Sequence, residues 1–329
     1  MMTKARNGMT VSVTFALVAV AAILAIGVGS VTVPVPDILQ TLFKTAADAV
    51  NDTIIFNIRL PRVLLAMIIG ANIAISGAIL QAVMGNPLAD PGLTGVTSGA
   101  AVAVLVIMLA FPEYLGFVPI AAFLGGILAA TVVYGLAWRR RGISPITIIL
   151  AGVAVNALCG GVVGYLSIMY SDRLPSAVQW MNGSLAAKGN NVVWMVLPYS
   201  IVGWILSLVA IRKANVIRLG DQVAMNLGEN VNRIRIWLSV LAVFLAAISV
   251  AAIGMIGFVG LIVPHMARFI VGSDYKYLLP MSMALGALVL LVADTGGRTL
   301  FAPLEIPAGI VMAVIGGPYF LYLMRRSVF

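Results

Sequence analysis

Residues able to do chemistry are few in this chain, and they are scattered. There is one histidine, His265, directly after Pro264. Hydrolysis by a Ser-His pair would need a serine beside it, and the sequence holds no Gly-x-Ser-x-Gly elbow. The one cysteine, Cys159, sits in an apolar run, so an internal disulfide is impossible and a small core residue is the expected role. No Cys/His grouping has zinc-ligand spacing, and no Gly-x-x-x-x-Gly-Lys loop is present to cradle a phosphate. The sequence therefore assigns no catalytic residue, no metal site and no cofactor. If the chain moves something at the expense of a nucleotide, another chain must hold the ATP and magnesium.

The other candidates are polar groups in apolar surroundings. Arg59 and Arg62 open one long apolar run. Asn72 and Ser76 are four apart and share a helix face, Gln81 is offset from it, and Asn156 stands in a later run. An unpaired amide is costly in lipid, so such groups either bond neighbouring helices or line a wet pathway. Ion-coupled transport usually needs ionisable groups deep in the membrane. Asp294, Arg298 and Arg268 fall near predicted helix ends, which disfavours a proton- or sodium-coupled carrier working alone.

The elements that position these residues follow from composition. The 329 residues are 62% hydrophobic and 9% charged, against about 25% charged in a soluble domain. The mean hydropathy is +1.10. So few charges cannot cover a water-soluble globule, and the solvent must be largely lipid. Apolar runs of helix length recur, where a barrel would show segments of about 10 alternating residues. The reading is an all-α polytopic membrane protein. Ten segments are expected, at 10–31, 61–84, 92–111, 117–138, 144–170, 191–211, 234–256, 258–272, 278–296 and 306–324. The first is longer than a signal-peptide core and reads as a retained helix.

Charge sets the orientation. With the N-terminus inside, the outer segments hold only Lys44, Arg59, Arg62, Arg173, Lys188 and Arg298, six of the 20 Lys and Arg. The other fourteen, including Arg139-Arg140-Arg141, fall inside, which supports N-in and C-in. The net charge of +9 thus reflects membrane orientation rather than nucleic acid. Outside, residues 32–58 are polar with some apolar positions, and 171–190 read as a short amphipathic helix anchored by Trp180. Inside, 214–233 read as two short helices broken at Gly220 and Gly228. Gly70, Ala74 and Ala78, and likewise Gly160 and Gly164, have the spacing of close helix packing. Both halves share a loose pattern in which a Pro turn, NPLADP at 86–91 or VPH at 263–265, separates two helices. Five helices per half would make this an inverted repeat.

Motifs in order along the chain then carry a resemblance. They begin with Arg59-Leu60-Pro61-Arg62, then Gly77 and Gln81 before Asn86-Pro87-Leu88-Ala89-Asp90-Pro91, then Gly95 with Gly99-Ala100. Trp180 with Gly183-Ser184 follows, then Leu219-Gly220-Asp221 with Ala224 and Leu227-Gly228. The run from Gly257 through Phe258-Val259-Gly260-Leu261-Ile262-Val263-Pro264 to His265, with Arg268, is the longest. Asp294, Arg298, Glu305-Ile306-Pro307, Gly309 and Gly316-Gly317-Pro318 close the set. In this order and spacing they resemble the permease subunits of iron–siderophore, haem and vitamin B12 ABC importers, the FecCD-type family.

The resemblance implies a single transmembrane permease domain over 1–329, similar to the vitamin B12 importer permease, multi-pass in a bacterial inner membrane. It implies a second permease copy or a paralogue, two cytoplasmic ATPase subunits and an external substrate-binding protein. It places binding-protein docking at Arg59, Arg62 and Arg298. It places ATPase coupling at Leu219, Gly220, Asp221, Ala224, Leu227, Gly228 and Glu229. The translocation pathway is sought at Asn72, Ser76, Gln81, Asn156, Gly160, Gly164 and Ser167, with Met169 and Tyr170 near the outer end. His265, as part of a family motif, is expected to shape a turn. The implied cargo is a ferric siderophore, with haem or cobalamin as the alternative. A solitary ion-coupled carrier would respond to an ion gradient with no partner. An intramembrane hydrolase would lose activity with His265.

Overall fold

A computed structural model of the chain describes residues 2–29, 34–42, 52–140 and 142–326. Lys44 and Arg141, both counted in the charge asymmetry, lie outside the described residues, as do 43–51 of the outer segment. The helices are α1 (Met2–Gly27), α2 (Val35–Leu42), α3 (Leu60–Met84), α4 (Val96–Leu105), α5 (Val118–Ala137), α6 (Pro145–Met169) and α7 (Leu174–Met181). They continue as α8 (Asn190–Arg218), α9 (Asp221–Asn226), α10 (Val231–Ile253), α11 (Val259–Val271), α12 (Tyr275–Thr299) and α13 (Ala308–Arg326). A two-stranded hairpin, β1 (Trp138–Arg139) and β2 (Gly142–Ile143), joins α5 to α6.

Each of the ten apolar runs is helical. Among the described residues, seven helices are long and apolar enough to cross a membrane, and three apolar helices are shorter: Val96–Ala110, Val259–Val271 and Ala308–Tyr322. Helix α3 is buried almost throughout and α10 and α12 mostly, while α1, α5, α6 and α8 leave most of their length uncovered. A helix surrounded on all sides must be apolar and small on all sides. The sequence of α3 meets that demand.

Two contacts show how close the helices come. A Cβ added to Gly70 would lie 2.1 Å from the carbonyl oxygen of Gly286, and one added to Gly286 would lie 2.3 Å from that of Gly70. The α3–α12 crossing is therefore backbone on backbone, the packing expected where lipid offers no hydrophobic drive. A Cβ on Gly77 would lie 1.9 Å from the Gly260 carbonyl oxygen. Pro264, inside α11, has no N–H to give that carbonyl. The free carbonyl turns to α3, where only glycine leaves room.

Several expectations change. Ala74 and Ala78 are buried as packing residues, but a Cβ on Gly160 or Gly164 would meet nothing within 4 Å. Among the described residues those two glycines pack against nothing, because the face of α6 that carries them is uncovered. The VPH run is not a turn: Pro264 and His265 lie within α11, so the Pro-turn likeness of the two halves fails there. His265 packs its ring edge-on against Phe269, 4.8 Å between centroids. The chain is already helical, as a π-turn at Ile54–Arg59, before α3 begins. Residues 171–190 do contain a short helix, α7, and Trp180 packs on the cluster of Ala100, Val104 and Val250.

Candidate functional site

Helix α3 separates two groups of charged residues. Its 25 residues span ~37 Å at 1.5 Å per residue. Arg62 at its first turn reaches the last part of α12, while Val83 at its last turn accepts from Arg235 at the start of α10. Asn190 at the start of α8 donates to Phe56 O, and Asn215 near its end donates to Asp274. The two groups therefore mark opposite ends of the bundle.

At the first end, three arginines serve the chain itself. Helix α1 ends with carbonyls that no later turn can bind. Arg59 Nη1 donates to Ile26 O at 2.7 Å and Gly27 O at 3.1 Å, and Arg298 Nη2 donates to Ala25 O. Guanidinium groups at a helix C-terminus also suit its partial negative charge. Arg62 forks onto Asp294, Nε to Oδ2 at 2.8 Å and Nη2 to Oδ1 at 3.0 Å. Its Nη1 reaches Glu305 Oε2 at 2.8 Å. Asp294 is buried, while the Glu305 side chain is 48% exposed. Arg59 is only 5% exposed. The three arginines expected to dock a binding protein thus stand together, but they are engaged inward by α1 and by the two carboxylates. In the loop before α8, burial pushes the Lys188 ammonium below its ordinary lysine value.

At the other end, the segment 214–233 holds one short helix, not two. Residues 214–218 belong to α8, which runs on to Arg218, and 231–233 belong to α10. Between them α9 is set off by Gly220 at φ +96° and Gly228 at φ +78°, conformations that a side chain would strain. Leu219, Val223, Met225 and Leu227 are exposed. Four large apolar side chains on one exposed turn of helix and its flanks form a patch of the kind that marks a protein interaction surface. Ala224 is fully buried, so its methyl holds α9 to the bundle rather than meeting a partner. Asp221 binds Arg235 Nη2 at 2.8 Å, and Glu229 takes both oxygens to Lys213 Nζ at 2.8 and 2.7 Å. Arg235 is itself buried and also donates to Ile143 O at 2.6 Å. Those carboxylates fix the pose of α9. Sequence reasoning missed Val223 and Met225. Their signal was two apolar side chains in a polar stretch bracketed by glycines.

The pathway candidates divide. Asn72 donates to Ser200 Oγ at 2.8 Å and accepts from Trp204 Nε1 at 2.7 Å, tying α3 to α8. Ser76 donates to Ala242 O at 2.6 Å. Gln81 donates to Leu261 O at 3.3 Å and accepts from Arg268 Nη2 at 2.9 Å. All three are buried and bond neighbouring helices. Asn156 donates to Gly92 O at 3.0 Å and accepts from Ser98 Oγ at 2.6 Å, so it too fastens helices together. Gly160 and Gly164 lie on the uncovered face of α6, and Ser167 is satisfied within its own helix by Val163 O at 2.8 Å.

Residues 17–326 match the FecCD transport family. Among curated relatives, the chain is 40% identical to the Fe(3+)-citrate import system permease protein YfmE of Bacillus subtilis, over 93% of this chain and 91% of that one. It is 37% identical to the iron(3+)-hydroxamate import system permease protein FhuG of the same organism, over 96% of each chain. It is 40% identical to the hemin transport system permease protein HmuU of Yersinia pestis, over 88% of each chain. Among solved structures, a metal-chelate type ABC transporter in an inward-facing conformation superposes with a TM-score of 0.87 at 30% identity, covering 97% of this chain and 99% of that one. With the family matched from α1 to α13 and its relatives matched nearly end to end, this chain belongs to the FecCD transport family.

Proposed function

We propose that the chain is the membrane-spanning permease subunit of an ATP-driven importer that carries a ferric siderophore into a bacterial cytoplasm. The observation that carries the proposal is the exposed apolar patch on α9, held between two glycine joints, in a chain of this family. A permease without its own nucleotide site needs such a handle for a partner ATPase. All ten apolar helices then traverse the membrane or pack within it, N-in and C-in, and α9 faces the cytoplasm beside most of the basic residues. A second copy or a paralogue covers the uncovered glycine face of α6, so the pathway lies between two chains. Gly160, Gly164 and Ser167 line it, and Asn72, Ser76, Gln81 and Asn156 hold its walls.

The ATPases bind ATP and magnesium, and closing on them moves α9 by its exposed Leu219, Val223, Met225 and Leu227, with Gly220 and Gly228 as joints, while Ala224 keeps it seated and Asp221 and Glu229 hold its pose. The tethers to Arg235 and Lys213 pass that movement into α10 and α8. An external binding protein docks over Arg59, Arg62 and Arg298. Arg59 acts from beneath by capping α1, and an acidic group on the binding protein exchanges with Glu305 for Arg62 Nη1 while Asp294 keeps the fork. Haem is the second reading for the cargo, favoured by the 40% identity to a hemin permease.

Purification from the native membrane in mild detergent tests the proposal. An ATPase and a two-lobed binding protein should come with the chain, and that binding protein should bind ferric siderophores more tightly than haem or cobalamin. A folded chain that repeatedly comes alone overturns the subunit reading. The exchange at Arg62 has its own test. Glu305→Gln removes the competing carboxylate and should tighten docking about two- to fivefold, the scale of one exposed ion pair. Weaker docking, measured by titrating the binding protein onto the permease in nanodiscs, would mean that Glu305 is needed to present Arg62.

A further inference from the structure

Three adjoining hollows run along α10, of about 470 Å³ beside the hairpin, 400 Å³ against α5 and 270 Å³ between α5 and α8. The first two share Trp138, Ile236 and Val240, and the last two share Phe244, so they form one groove. No lining residue belongs to α6 or α13, and none is acidic. The floor is apolar, made by Ile127, Val243 and Phe244 among others.

The ends of the groove differ. At one end Arg233 lines it, and Arg139 and Arg140 of the hairpin stand exposed next to Trp138. Trp138 and Trp237 form the rim there, and tryptophans collect at the level of lipid headgroups. From Arg233 to Phe244 along α10 is eleven residues, ~16 Å of helix. That is about half of a ~30 Å hydrocarbon core, one leaflet's depth. Part of the way down, Tyr134 and Ser239 line the groove, with their hydroxyls buried against one another beneath its surface.

We propose that this groove is a binding site for an anionic phospholipid. The phosphate sits on Arg233, Arg139 and Arg140, and an acyl chain lies along Val240 and Phe244. Charge complementarity selects the occupant: a zwitterionic lipid brings its phosphate together with a cationic group that three guanidinium groups repel, whereas an anionic headgroup carries net negative charge to match them. Basic pockets between helices on the cytoplasmic side are where such headgroups bind. The leaflet assignment rests on the orientation proposed above, but the site itself does not.

The test uses the purified chain in phosphatidylcholine nanodiscs doped with phosphatidylglycerol. Native mass spectrometry counts the retained lipid, and the thermal midpoint is followed as each lipid is titrated. Phosphatidylglycerol should be retained on the wild type and raise its midpoint, and phosphatidylcholine should do neither. The triple variant Arg139→Gln, Arg140→Gln, Arg233→Gln should bind phosphatidylglycerol more weakly by about fivefold for each arginine removed. A second variant leaves the charges in place. Gly135 lines the groove and a Cβ there would meet nothing within 4 Å, so Gly135→Leu fills the trough without a clash and should evict the lipid. Equal retention of the two lipids by the wild type overturns the proposal. So does undiminished phosphatidylglycerol binding in Gly135→Leu, which decides the matter even if the triple variant does not fold.

Discussion

Replacing Asp294 with alanine will destabilise the folded chain by about 3–5 kcal/mol, the cost of leaving a buried charge without its partner. Asp294 is 2% exposed and receives both prongs of the Arg62 fork. Without it, Arg62 keeps among the described residues only Glu305, which is half-exposed and holds one of its nitrogens. Arg298 Nε has no hydrogen-bond partner among the described residues even with Asp294 present. Asp294→Asn keeps the shape and a hydrogen-bond acceptor but loses the charge, so its cost should fall below that of alanine.

The paired replacement Arg62→Met with Asp294→Leu should cost less than Asp294→Ala alone, because no uncompensated charge is left. Cys159 provides the reporter. It is the only cysteine in the sequence and is buried, so the labelling of its thiol by a dye during heating in detergent follows unfolding. If Asp294→Ala melts with the wild type, Arg62 has found another counter-charge, and this end of the bundle is not held by the pair.

The second large effect is expected on transport rather than on folding. Val223→Asp with Leu227→Asp places two carboxylates in the apolar patch of α9, at positions 44% and 61% exposed. Exposed positions accept charge with little cost to the fold. At a buried interface, each loss of an anchor side chain costs about 2 kcal/mol, so the pair should weaken ATPase binding by about a thousandfold. Uptake into proteoliposomes should fall to background while the permease still purifies as a folded species. Ala224→Leu is the contrasting variant. Ala224 is fully buried, so added bulk should lower the thermal midpoint as well. If the double aspartate variant still copurifies with the ATPase at wild-type yield, α9 is not the handle.

The legibility of these sites differs residue by residue. Asn72, Ser76 and Gln81 were visible as polar groups that lipid would not tolerate alone. That each binds a neighbouring helix depends on partners 128, 166 and 180 residues away. The glycines of 214–233 announced breaks, but one short helix and two long neighbours fit the same breaks as two short helices. There the basic residues Arg212, Lys213 and Arg218 stay on α8, where cations suit a helix C-terminal end. The hairpin at 138–143 left no signal, because two residues per strand are too few for an alternating pattern.

The amino-acid sequence alone determined the solvent, the helical class and the positions of all ten apolar helices. Those properties are local: a run of apolar residues must satisfy its own backbone hydrogen bonds in lipid, and only a helix does so within one segment. Its motifs also placed the chain in its family. Tertiary structure decided which way each polar side chain faces. Arg59 became a cap for α1, Arg62 a fork on Asp294, and Gly77 the seat for a carbonyl that Pro264 had released. Each of those outcomes joins residues far apart in the chain. The partner is set by which helices cross and how closely, and that follows from the packing of the whole bundle.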